Sequence, residues 1–308
     1  MQEDFPNNEL EFDRRFSCEA ACQDYLFQLR WPDGFVCPHC SHTQYWKSAR
    51  GLYLCRHCDR QQSVTAGTIF HGTQKPLRVW FKALWWFSTR KSGVNAVELK
   101  ELLGLGSYQT AWSWLQKLRT CTIFPERGTL SGDIEADEFY LGGERSGKRG
   151  RGAEHKCKVA VAVERKGHQL GRLRMQVIDD CSGQQLIPFV TSNVAPGSAI
   201  TTDGWKGYNG LEQAGYHHRK VLASKVEEKD SVLPGVHLVA SLMKRVILGT
   251  FQGRFDEAYL QRYLDEYVFR FNRRTSKSAG KRFWRIIQRA VSSPPITNFA
   301  LRLSPVST

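Results

Sequence analysis

The chain has 308 residues, 41% of them hydrophobic, which excludes both a lone small module and wholesale disorder. Lys and Arg number 44 against 30 Asp and Glu, a formal net charge of +14. That surplus favours a polyanionic partner, nucleic acid first, because each neutralised phosphate releases counterions.

In chain order, residues 1–30 read as a helical lead-in, with Ala21, Tyr25, Leu26 and Leu29 at helical spacing. The start, MQEDFPNNEL, is acidic and polar, unlike a signal peptide. Residues 31–70 hold cysteine pairs among Gly, Pro, Ser and Thr, the texture of a small loop-rich module. Leu77–Thr89 reads as an aromatic-rich helix after Pro76, followed by helices over Ser92–Gly106 and Ser107–Thr120. Ile134–Leu141, Cys157–Glu164 and Leu170–Ile178 are predicted strands. A helix over Gln184–Val190, a strand over Ala199–Thr202 and a short strand over Val221–Ala223 follow. Helices are expected over 236–248, 256–272 and 282–291, then a Pro- and Ser-rich loose tail. The order is that of an α/β domain. No apolar run reaches the length of a membrane span, so an intracellular protein is expected.

Nine cysteines, an odd count, argue for metal binding rather than a disulfide framework. Cys37-Pro-His-Cys40 and Cys55-Arg-His-Cys58 are separated by the 14 residues 41–54. Two such knuckles fold as a hairpin pair closing a tetrahedral Zn2+ site, with His39 and His57 inside the knuckles rather than ligands. The metal is expected to be structural, since so small a fold cannot bury enough surface unaided.

Asn95–Leu103, the joint Gly104-Leu105-Gly106 and Ser107–Arg119 fit a helix-turn-helix. Val97, Leu99, Leu102 and Leu103 are expected to pack one helix, and Trp112, Leu115 and Leu118 the other. Ser107 suits an N-cap, and Tyr108, Gln109 and Thr110 would project from the start of a DNA recognition helix. The same pattern also suits an ordinary helical hairpin.

Asp133-Ile-Glu-Ala-Asp-Glu138 carries four acids on one predicted strand. Alternation places Asp133, Glu135 and Asp137 on one face, and Ile134, Ala136 and Glu138 on the other. Carboxylates so crowded repel one another unless a cation sits among them or they reach solvent. Asp203, ending an apolar strand before Gly204, is placed to offer oxygen to a metal, or to make an ordinary turn.

Together these motifs resemble a known family. RWPDGFVCPHC at 30–40, CRHC at 55–58, SVTAGTIFHGT at 63–73 and EADEFYLGG at 135–143 carry the likeness. AVAVERKG at 160–167, TTDGWKGY at 201–208, SLMKRVILGTFQG at 241–253 and YLDEYVFRFNRR at 263–274 extend it. The chain resembles insertion-sequence transposases that couple a zinc ribbon to an RNase H-like DDE domain. The resemblance implies a mixed sheet flanked by helices, divided as follows. Residues 1–73 form a helix and zinc ribbon, 74–128 a helix-turn-helix-like DNA-binding segment, 129–293 the catalytic domain and 294–308 a loose tail. The family's acids fall on Asp137 and Asp203, 203 − 137 = 66 positions apart, and its third position falls on His237. An Asp-Asp-His set implies Mg2+ or Mn2+, with imidazole favouring Mn2+. Glu135, Glu138, Glu227, Glu228 and Asp230 are alternative third ligands.

Lys148, Arg149 and Arg151, in a Gly-rich loop after Asp137, are expected to grip phosphates or simply to be solvated. Lys244 and Arg245, near the face of His237, are expected to line the DNA path, and Arg270, Arg273 and Arg274 to serve DNA or the helix dipole. Trp205 and Tyr208 are expected in the core or stacked on a displaced base. The implied partners are double-stranded DNA, namely the element's terminal inverted repeats and a target, and further copies of the chain. The implied setting is the bacterial cytoplasm, at the nucleoid. The competing readings are a nuclease of the same fold and an inactive, transposase-derived DNA-binding protein.

Overall fold

The computed structural model describes residues 3–142, 156–221, 232–253 and 255–303. The chain divides into two compact units, one of residues 1–124 with 275–304 and one centred on residues 125–274.

In the first unit, α1 (Glu9–Arg15) starts at Asn8, whose side chain accepts the Glu11 amide, and α2 (Glu19–Arg30) follows. The strands β1 (Tyr45–Lys47), β2 (Tyr53–Cys55) and β3 (Gln61–Gln62) form an antiparallel three-stranded ribbon. Next come α3 (Leu77–Thr89), α4 (Ala96–Leu103) and α5 (Tyr108–Thr120). The α3 N-terminus is held by Glu19, whose carboxylate accepts the amides of Leu77 and Arg78 at 2.8 and 3.2 Å. An aromatic core forms where Phe12 meets Trp85 (centroids 4.7 Å apart) and Phe16 meets Phe81 (4.8 Å).

Gly104 ends α4 in the left-handed conformation (φ 58°), and the Ser107 hydroxyl caps α5 by accepting the Thr110 amide. Two helices joined by a tight turn thus stand where they are expected, but the packing face is shifted. Val97 and Leu102 are exposed, and Trp114 rather than Trp112 is buried, stacked 3.7 Å from Trp80. Leu99, Leu115 and Leu118 are buried as expected.

In the second unit, β4 (Asp133–Leu141), β5 (Cys157–Lys166) and β6 (Gln169–Ile178) run antiparallel. After α6 (Gly183–Asn193), β7 (Ala199–Thr202) joins parallel to β4, and β8 (His217–Lys220) parallel to β7. The sheet order is β6-β5-β4-β7-β8. One core layer joins Ile134, Ala136, Ala160 and Ala162 to Leu186, Phe189 and Val190 of α6. The other joins Phe139, Val159, Val161 and Val163 to the helices α7 (Pro234–Thr250) and α8 (Leu260–Phe271). This is the expected mixed sheet with helices on both faces, and the alternation read along β4 is the one observed. The last strand among the described residues lies at His217–Lys220; Val221 extends its ladder through an amide bond to the Thr202 carbonyl, and the rest of the expected strand, 222–223, lies outside the described residues.

The helices α9 (Ala279–Ser292) and α10 (Asn298–Leu303) depart from the expected division. The sequence places the helix 282–291 within a catalytic domain of residues 129–293, yet α9 belongs to the first unit, packed on α2 and α3. Arg282 donates to the Ser88 carbonyl at 2.9 Å, and Phe283 enters the aromatic core. A side chain at Gly280 would collide with the Pro6 carbonyl oxygen at 1.7 Å, so only glycine admits this approach. The tail is not wholly loose either, since Leu301 of α10 is fully buried. No described helix is long and apolar enough to cross a membrane.

Candidate active site and metal centre

In the ribbon, two turns of matching shape bring the cysteines together. The Ser41 amide bonds to the Cys37 carbonyl, and the Asp59 amide to that of Cys55, with both Ser41 and Asp59 left-handed (φ 59° and 54°). The four sulfurs lie within 4.8 Å of one another. Cys37 and Cys58 Sγ are 3.7 Å apart, and Cys40 and Cys55 Sγ 3.5 Å. A tetrahedron with Zn–S bonds of about 2.3 Å has edges of about 3.8 Å, so the donor set fits Zn2+. His39 instead accepts from Arg60 at 2.8 Å, and His57 lies against His42. Neither is a fifth ligand.

The carboxylate site is built by strand register. β4 and β7 pair Asp133 with Ala199, Ile134 with Ile200 and Glu135 with Thr201, a constant offset of 201 − 135 = 66. Carried two residues further, the same offset sets Asp137, in the middle of β4, level with Asp203, which directly follows the last residue of β7. Gly204 (φ 84°) turns the chain there, and Asp203 Oδ1 accepts the Trp205 amide at 2.9 Å. Behind the turn, buried Thr202 shares a 2.9 Å hydrogen bond with His218 Nε2.

Glu135 anchors α7 over this end of the sheet. Its carboxylate accepts the Val236 amide at 3.0 Å, within the first turn of α7, and pairs with Arg165 at 3.3 Å. A side chain at Gly235 would meet Glu135 Oε2 at 2.8 Å and Leu170 at 2.9 Å, so a larger residue there would displace the carboxylate that holds the helix start. The anchored helix sets His237 Nε2 3.9 Å from Asp137 Oδ2. Among the described residues, Asp137, Asp203 and His237 do not gather within 4.8 Å as the four cysteines do.

A cleft of about 990 Å3 is lined by Asp137, Phe139, Lys156, His237, Lys244 and Arg245. Lys244 and Arg245 thus share the cleft with Asp137 and His237. On the opposite sheet face, the Tyr208 hydroxyl donates to Glu138 at 3.4 Å. Burial, then the charges of Glu138, Asp137 and Asp203, push the phenol well above its ordinary pKa, so it stays a donor. Tyr208 is fully buried and the Trp205 indole donates to the Cys181 carbonyl at 2.7 Å, which makes both packing residues.

Arg270 pairs with Glu266 at 2.7 Å, and Arg274 clasps the Leu170 and Gly171 carbonyls, so these cations serve the fold. Tyr108 and Gln109 are exposed at the start of α5, with Thr110 half-buried. Lys148, Arg149, Arg151, Glu227, Glu228 and Asp230 lie outside the described residues. Sequence reasoning missed the anchoring role of Glu135 and the Thr202–His218 bond. Only Glu135 left a signal, an acid on the face that bears Asp137.

Residues 129–272 match the family described as the ISXO2-like transposase domain, and residues 17–61 the transposase zinc-ribbon domain. A protein of Halobacterium salinarum, named as an uncharacterized protein in transposable element ISH50, is 26% identical over 219 residues. That alignment covers 65% of this chain and 72% of the relative.

Proposed function

We propose that this chain, which belongs to the insertion-sequence transposases that join a zinc ribbon to an ISXO2-like domain, cuts and joins DNA strands at a site formed by Asp137, Asp203 and His237. The observation that supports the reading is the register of β4 and β7, whose offset of 66, extended by two residues, sets Asp137 level with Asp203, next to the α7 start that Glu135 holds. The donor set of two carboxylates and an imidazole suits Mn2+ or Mg2+. Such cations, when bound, neutralise charge on the scissile phosphate and activate the attacking water or 3′-hydroxyl.

The chain's own residues do the rest. Asp137 and Asp203 set where positive charge is held, and the Asp203 turn fixes one carboxylate through the Trp205 amide. His237, 57% exposed, closes the third side while leaving the cleft open to a polyanion. Lys156, Lys244 and Arg245 supply phosphate contacts along that cleft and orient the strand. The substrates are double-stranded element ends with inverted repeats and a target duplex, held by an assembly of more than one copy at the bacterial nucleoid. Tyr108, Gln109 and Thr110 read base edges from the start of α5.

The imidazole in third place favours a second reading, an inactive DNA-binding descendant. A nicking assay with Mn2+ on duplex carrying the element's ends separates the two. Wild type nicks and joins, and Asp137→Ala and Asp203→Ala each lose at least about 100-fold in rate. Equal nicking by both variants rules out this site. Binding without cleavage under any metal selects the inactive reading, and nicking without joining a nuclease.

A further inference from the structure

The zinc ribbon has a core face and an outer face, and the outer one carries an aromatic residue that its own fold does not use. Tyr45 and Tyr53 pack inward with Phe35, their centroids 5.0 to 6.1 Å from the Phe35 ring. Trp46, paired with Leu54 across β1 and β2, points the other way and is 60% exposed. Arg56, exposed just beyond β2, lays its guanidinium 3.8 Å from the centre of the Trp46 ring. A second exposed guanidinium, Arg60, is held by His39 in the first knuckle at 2.8 Å.

We infer that this outer face, Trp46 with Arg56 and Arg60, is a second DNA contact that binds phosphodiester groups of a duplex without reading sequence. Stacking on an indole holds a guanidinium with its N–H edge free, the geometry that takes a phosphate with two hydrogen bonds. The side-chain freedom that binding would remove is already spent in the stack. Charge favours the same occupant. Between residues 41 and 62 stand Lys47, Arg50, Arg56 and Arg60 against the single acid Asp59. Lys47 is already paired, 3.0 Å from Asp24, which leaves three arginines, of which Arg56 is the one stacked on the indole. The inference rests on the DNA reading above but not on strand cutting.

The test uses the zinc-loaded full chain and a labelled duplex of arbitrary sequence, about 30 base pairs long, read by fluorescence anisotropy from about 50 to 200 mM salt. Arg56→Gln is expected to weaken binding about 3- to 10-fold and to flatten the log–log salt slope by about one unit. Trp46→Ala should do the same, the double variant little more, and Trp46→Phe much less, because indole and guanidinium act as one unit. Wild-type affinity and slope in both single variants overturn the inference. So does loss of zinc from Arg56→Gln, which would assign the guanidinium to balancing thiolate charge. A change in sedimentation with DNA binding unaltered also overturns it, pointing to a protein contact. These readouts measure binding alone, so a chain that needs this face yet never nicks DNA sinks the strand-cutting reading and leaves this one standing.

Discussion

Asp265 sits on α8 with 7% of its surface exposed, and burial raises its pKa from 3.8 to about 6 against the opposing pull of Gln261, Arg127 and Arg262. The sign follows from linkage. Below about pH 4 the carboxyl is protonated in both folded and unfolded chains and costs nothing. Between pH 4 and 6 the unfolded chain ionises while the folded one holds its proton, so stability falls as pH rises. Above pH 6 the loss levels off at about 3 kcal/mol. Asp265→Asn should therefore match wild type near pH 4 and melt higher at pH 7, as thermal unfolding across that range would show. A constant difference over the range would contradict it. At this scale the sequence was legible where chemistry repeats at fixed spacing, as in the cysteine knuckles. It marked Glu135 only as an acid on the Asp137 face and was silent on Asp265, because their roles come from a helix amide and from burial supplied by residues distant in sequence.

The edge strand β6 is protected by side chains of α8. Gln261 accepts the Val177 amide at 2.9 Å and donates to the Met175 carbonyl at 3.3 Å. Asn272 accepts the Leu173 amide at 2.7 Å and donates to its carbonyl at 3.1 Å. Two amides thus occupy the open edge that would otherwise template pairing with another chain. Asn272→Ala should cost about 1–3 kcal/mol and speed hydrogen exchange at the Leu173 amide. An unchanged melting temperature with that amide still protected would refute the role. Elements themselves were legible by periodicity, β4 through β6 most clearly. β8 was not, because His217-His-Arg-Lys220 is polar and mostly exposed, with no apolar alternation to mark a strand. The helix-turn-helix face slipped from Trp112 to Trp114 because both indoles fit helical spacing, and only the stack on Trp80 selects one.

At the scale of the molecule, α9 shows what amphipathic patterning leaves open. Its apolar stripe, including Phe283, Ile286, Ile287 and Ala290, demands a partner, but the pattern does not name which. The aromatic core built on α1, α2 and α3 supplies it, so the first unit is closed by residues from the far end of the chain. That unit also holds the zinc centre. An organomercurial titration should release one zinc per chain as four thiols react, with ordered ribbon lost alongside. Release with no loss of ribbon structure would make the metal dispensable to the fold. The proposed site in the second unit rests on the β4–β7 register, a constant offset of 66 residues. Binding of Mn2+ to the full chain with DNA, followed by electron paramagnetic resonance, tests this most directly. The expected result is tight Mn2+ binding that weakens at least about tenfold in both Asp137→Asn and Asp203→Asn. Wild-type Mn2+ affinity in both variants would contradict the account.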